Sequence, residues 1–178
     1  MVWDPGVLRC VGDWHVDGPT LPLEFAWVSR DGRLTLVLTP GAAPVPALWC
    51  ELDYLTAEAS QAALAGREGT AIHAIGLWPG PVPKHSAGAA QIAQWGGDRG
   101  FDAVIWTALR PRFGGVDGAA PKDAAAAASF LGTLSGDALL RASEYVRRAP
   151  EQVKTGFRAA LEATIAATWR PVPDATPP

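Results

Sequence analysis

The sequence predicts an α+β fold, strand-rich over residues 1–109 and helical over 120–169. Three observations carry that expectation. Two apolar alternating runs flank Asp31-Gly32, a strong short-range hairpin signal. The last third is rich in alanine and broken only at turn residues. Strands and helices do not alternate strictly, which argues against a doubly wound parallel sheet and for an antiparallel or mixed sheet with helices beside it. Length fits a single domain over 1–169, followed by a flexible Pro-rich tail over 170–178.

Each element has a local reason. Residues 1–22 hold Pro, Gly and Asp and read as irregular. Leu23 to Ser29 alternates as a strand, and Leu34 to Leu38 is its return. Pro40 to Pro46 reads as a loop, overlapping the start of a third strand over Val45 to Leu52. Thr56 is an N-cap for a helix through Arg67, with Gly66 or Gly69 as its stop. Ala71 to Leu77 is an apolar run expected to be a strand, and Trp78 to Pro83 a rigid loop. Ser86 to Arg99 reads as a helix ended by Gly100, and Ala103 to Trp106 as a short buried strand. Arg110 to Gly115 is a turn carrying two guanidiniums. Pro121 suits a helix start, with the helix itself over Ala124 to Leu134. Asp137 is expected to cap a helix to Arg148, and Pro150 to open a last one reaching Trp169.

Composition excludes several function classes. A net charge of −3, without a run of basic residues, argues against nucleic-acid binding, which needs clustered Lys and Arg to neutralise phosphates. No stretch approaches the ~18 apolar residues of a membrane span, and the first residues do not read as a secretory signal, so the cytoplasm is the expected compartment. Cys10 and Cys50 form no CxxC pair and read as two free thiols.

The common motifs of phosphate, dinucleotide, zinc-protease and serine-hydrolase chemistry are missing from the sequence. His15, His73 and His85 lie in separate segments, and no metal or other cofactor is expected. Cys50, beside Trp49 on a predicted strand, reads as core rather than nucleophile. Glu68 closes a predicted helix, where a carboxylate opposes the helix dipole. It is either an exposed helix-end charge or a placed acid. Arg110 and Arg112 are either surface charge or a clamp for an anionic substrate. Glu144, Arg147 and Arg148 read as a solvated helix face with Tyr145 packed inward. Glu24, within an apolar alternation, is expected on the exposed face of its strand.

The order of several short motifs resembles bacterial gamma-glutamylcyclotransferase-like proteins. They are Trp3-Asp4-Pro5, Asp17-Gly18-Pro19, Leu23-Glu24-Phe25, Ser29 through Val37, Leu48-Trp49 and Arg67-Glu68-Gly69. Looser matches follow at Ala103 to Leu109 and Glu144 to Pro150. The resemblance implies a small mixed or antiparallel β-barrel with flanking helices. It implies cleavage of a gamma-glutamyl amide by internal cyclisation to 5-oxoproline, without a cofactor. The family's catalytic acid sits in a Glu-Gly turn at a helix end, and Glu68 before Gly69 is the matching position. Trp3, Trp49, Arg110 and Arg112 are the substrate-binding candidates, and the expected partner is a small gamma-glutamyl molecule.

The sequence departs from the family at one place. A Tyr-Gly-Ser-Leu turn, whose backbone N–H groups hold the substrate, precedes the position of Trp3-Asp4-Pro5 in the family; here Met1-Val2 stand there. A late start codon, a non-catalytic relative that binds an amino-acid-like ligand or a protein partner, and a strand supplied from elsewhere all remain open.

Overall fold

A computed structural model describes residues 5–168. At its centre is the predicted hairpin, β2 (Thr20–Val28) with β3 (Leu34–Leu38). The two strands are antiparallel, with Phe25 opposite Leu36 and a register shift between Phe25 and Trp27. The turn closes as Asp31-Gly32 requires: Gly32 adopts φ +83°, and the Gly32 N–H donates to the Ser29 carbonyl at 3.0 Å.

Sequence and structure part on either side of that hairpin. Residues 1–22 are not wholly irregular, because β1 (Cys10–His15) lies antiparallel to β5 (Trp49–Leu52). Gly12 and Asp13 hide β1 by composition, and a register shift between Val11 and His15 accommodates them. The single strand expected over Val45 to Leu52 is two. β4 (Pro44–Pro46) pairs with β2, and β5 pairs with β1. Prolines at both ends of β4 confine it to a sheet edge.

The helix α1 spans Ala57–Glu68 with Thr56 as its cap, the Thr56 hydroxyl accepting the Ala59 N–H at 3.1 Å. The run over Ala71 to Leu77 begins as a 3-10 turn at Ile72–Ala74 and becomes β6 (Ile75–Trp78). β6 pairs antiparallel with β7 (Val104–Thr107), and α2 (Ala89–Asp98) connects them. The buried Gln61 amide donates to the Ile75 carbonyl at 2.7 Å and fastens α1 across β6. The arginine-bearing turn is a small hairpin, β8 (Arg112–Phe113) with β9 (Val116–Asp117), joined to β2 in parallel through Trp27 and Arg112.

The last third is helical as expected, with shifted starts. α3 (Ala124–Gly132) begins after Asp123, whose carboxylate accepts the Ala126 N–H at 2.7 Å; Pro121 lies ahead of the helix. α4 (Gly136–Arg148) contains Asp137 in its first turn instead of being capped by it. α5 (Arg158–Thr168) starts eight residues after Pro150. The delay has a visible cause. The Arg158 guanidinium donates to the carbonyls of Ala149, Pro150 and Val153, which holds residues 149–153 out of helical pairing. The predicted tail over 170–178 lies outside the described residues.

The main core lies between the β2–β3 hairpin and helices α3 to α5. Phe25, Leu34, Leu131, Val146, Leu161 and Ile165 are all buried there. A second cluster packs Leu21 and Leu38 on Ile92 of α2, and a third packs Leu64 and Ala65 of α1 on Ile75. The α+β class is therefore correct. Among the described residues the strands form three sheets, β1–β5, β6–β7 and the five-stranded one around β2.

Candidate functional site

Glu68 is the last residue of α1, and Gly69 behind it reverses the chain at φ +61°. The Gly69 N–H reaches back to the carbonyls of Ala65 and Gly66, so the helix terminates at this turn. The Glu68 carboxylate opposes the dipole there, and the neighbouring Arg67 guanidinium compensates by pairing with it. Both side chains are mostly withdrawn from water, at 17% exposure for Arg67 and 27% for Glu68. The Arg67 Nε also donates to the Pro5 carbonyl at 3.1 Å, which seats the start of the described chain beside the pair.

Tyr145 of α4 completes this corner. Its hydroxyl accepts the Leu36 N–H at 3.3 Å, and the Arg33 guanidinium lies 6.0 Å from the ring centroid. Burial raises the Tyr145 pKa above its ordinary value, and the negative charge of Glu68 pushes the same way. The corner therefore gathers the Arg67–Glu68 pair of α1, Arg33 of the β2–β3 turn with its partner Asp31 at 2.9 Å, and the Tyr145 phenol of α4. The resemblance at Arg67-Glu68-Gly69 points to Glu68, but nothing in the sequence signals that Arg33 would approach Tyr145.

The principal groove has a volume of about 580 Å³ and lies between β5, β7 and α1. Ala57, Ser60 and Leu64 border it from α1, at spacings of three and four residues. Glu68 is the next residue of that stripe, one turn beyond Leu64, and it stands outside the groove wall. Trp14, Trp49, Trp95 and Trp106 give the groove its aromatic character.

Trp49 is held from several directions. Its ring stacks on His15 with centroids 4.2 Å apart, and Phe101 tilts against it at 4.9 Å. Its indole N–H donates to the Asp17 carboxylate at 2.8 Å, and Arg99 pairs with the other oxygen of Asp17 at 2.8 Å. The Trp49 bond first, then Arg99, holds the Asp17 carboxyl below the usual range. Trp49 is thus a fixed wall of the groove.

The other candidates fall elsewhere. Arg112 pairs with Asp117 across the β8–β9 hairpin at 3.3 Å and is half exposed. Arg110 is exposed, with its guanidinium close over Gly118. Neither borders the groove. Trp3 lies outside the described residues. Glu24, expected on an exposed face, is only 4% exposed, because loop 149–157 covers that face of β2 and supplies a backbone donor to its carboxylate. Cys50 borders the groove instead of sitting in the core, and Cys10 lies against it. Among the described residues no group of three or more His, Cys, Asp or Glu is placed to hold a metal ion, and no helix is long and apolar enough to cross a membrane.

No protein-family model, curated protein or solved structure matches this chain.

Proposed function

We propose that the chain is a gamma-glutamylcyclotransferase-like enzyme, with Glu68 as the general base. One observation carries the reading: the carboxylate that the family pattern singles out ends α1 in a Glu-Gly turn and is mostly sheltered from water. In the reaction, Glu68 takes a proton from the substrate's alpha-ammonium group. The freed amine attacks the gamma-carbonyl carbon, a C–N bond forms, and a five-membered ring closes. The old amide C–N bond then breaks as Glu68 returns the proton to the leaving nitrogen, and the second proton of the ring nitrogen passes to the released amine, giving 5-oxoproline and an ammonium product. Because both reacting groups belong to one molecule, much of the acceleration comes from holding the substrate folded.

The reading extends to a closed barrel. Trp49 to Leu52 of β5 and Ala103 to Trp106 around β7 all border the groove. Consecutive strand residues face opposite ways, so a groove touched by each of them follows the strand edges. An extended segment seated there would join the β1–β5 and β6–β7 sheets. Placing a Tyr-Gly-Ser-Leu strand ahead of Trp3 is expected to raise the melting temperature and reduce self-association, because it pairs open edges. Equal melting and equal light scattering of the two chains would remove the barrel from the reading.

The decisive assay is release of 5-oxoproline from gamma-glutamyl amines and peptides, and its loss in Glu68→Gln. The Arg67–Glu68 ion pair favours one competing reading, a non-catalytic relative, because the guanidinium occupies the carboxylate oxygen that a substrate ammonium group would have to reach. Absence of 5-oxoproline from every gamma-glutamyl compound offered would decide for that reading.

A further inference from the structure

We propose that Cys10 and Cys50 form a reversible disulfide, by exchange with a low-molecular-weight disulfide of the glutathione class, that staples β1 to β5 beside the groove. The two thiols lie 40 positions apart in sequence, and their sulfurs are 3.1 Å apart. Cys10 stands opposite Leu52 in the antiparallel register, and Cys50 is two residues from Leu52 on the same strand. The two side chains therefore share one face and are diagonal neighbours. A bond requires the sulfurs to close by about 1 Å, since an S–S bond is ~2.05 Å long. β1 can supply that movement. Its register breaks between Val11 and His15, and Gly12 inside the break has φ +69° with nothing packed against it.

Access and order of attack follow from the surroundings. Both cysteines are half-buried, and Cys50 borders the groove, so a small disulfide can reach the pair from that side. Burial, and then the contact with Cys10, pushes the Cys50 thiol up to about 12. Cys50 therefore stays protonated and donates its S–H toward Cys10, which makes Cys10 the first nucleophile. The Cys10 thiolate attacks one sulfur of oxidised glutathione, an S–S bond forms, and one glutathione thiolate leaves. Cys50 then loses its proton to water and attacks the Cys10 sulfur, expelling the second glutathione thiolate. The protein loses two electrons and two protons, and one glutathione disulfide becomes two glutathione thiols.

The test uses the whole chain and oxidised glutathione. Free thiols are counted, and peptides are mapped under non-reducing conditions. Both thiols are expected to disappear together in a monomer that carries no glutathione, with Cys10 and Cys50 peptides linked. The oxidised chain is expected to melt about 10 °C higher, because the closed loop restricts the unfolded chain, and dithiothreitol should reverse the shift. Cys50→Ser removes the second attack and should accumulate glutathione on Cys10. Two thiols that persist, a stable glutathione adduct on the wild-type chain, a disulfide between two chains, or an oxidised form melting with the reduced one would each overturn the proposal.

Discussion

The carboxylate of Glu24 accepts the backbone N–H of Phe157 at 3.2 Å, 133 positions along the chain, and that of Phe25 at 2.9 Å. The bond ties the central strand β2 to the loop that launches α5. The fit is close: a Cβ on Gly156 would come within 3.3 Å of the same carboxylate oxygen. Glu24→Ala leaves the Phe157 N–H without its acceptor and opens a void beneath the loop. A loss of about 1.5–3 kcal/mol is expected in urea unfolding, the range for a hydrogen bond to a charged group. Glu24→Gln keeps an acceptor of the same size and should cost less. Equal losses in the two variants would show that the negative charge itself, rather than the size of the side chain or a neutral acceptor, governs the site.

Tyr145 makes stability depend on alkaline pH. Burial first, then the charge of Glu68, raises its pKa above 10.0, the ordinary value. The folded chain holds this proton more tightly than the unfolded one. Its contribution is therefore complete below pH 10 and is lost as pH rises through the folded pKa. Tyr145→Phe should melt lower at neutral pH, by the ~1 kcal/mol of one hydrogen bond from Leu36. Above pH 10 the variant should lose less stability than the parent. Parallel melting curves across that range would refute the assignment.

Gly76 faces Trp106 across the β6–β7 pair. A Cβ at position 76 would fall 2.2 Å from the Trp106 ring, whose indole N–H is fixed by a 2.8 Å bond to the Ser86 hydroxyl. The ring cannot retreat without losing that bond. Gly76→Ala is expected to cost about 1–3 kcal/mol by overpacking. The double variant Gly76→Ala with Trp106→Leu should cost less than the sum of the two single changes, because the clash is between these two residues. Strict additivity in chemical denaturation would contradict it.

What was legible in the sequence was what is decided locally. Asp31-Gly32 fixes its own turn, Thr56 caps its own helix, and Gly69 ends it, so the hairpin and α1 could be read without knowing their neighbours. β1 could not, because a strand containing Gly12 and Asp13 exists only through its pairing with β5. The late start of α5 was hidden for a similar reason: the carbonyls that Arg158 gathers lie five to nine residues upstream. Glu24 reads as an outward-facing charge by alternation alone, since only a loop from the far end of the chain buries it. The same limit applies to the site. The Glu68-Gly69 turn is a local signature, whereas the meeting of Cys10 with Cys50, and of Arg33 with Tyr145, depends on register and helix docking.

Arg67 offers the sharpest test of the corner around Glu68. Its guanidinium pairs with the carboxylate and also donates to the Pro5 carbonyl. If Glu68 is the base, an amine substrate must compete with that guanidinium for the carboxylate. Arg67→Met keeps much of the aliphatic length and removes the competitor. The proposed mechanism therefore expects Arg67→Met to retain or increase kcat for 5-oxoproline release. Glu68→Gln, which keeps an acceptor for Arg67 but removes the base, should lower kcat by roughly 10²–10⁴-fold. Melting temperatures of both variants report whether the corner has survived. A Glu68→Gln chain that turns over at the parental rate removes Glu68 from the chemistry. A fall in kcat for a folded Arg67→Met chain, matching that of Glu68→Gln, would instead assign the guanidinium itself to the reacting atoms.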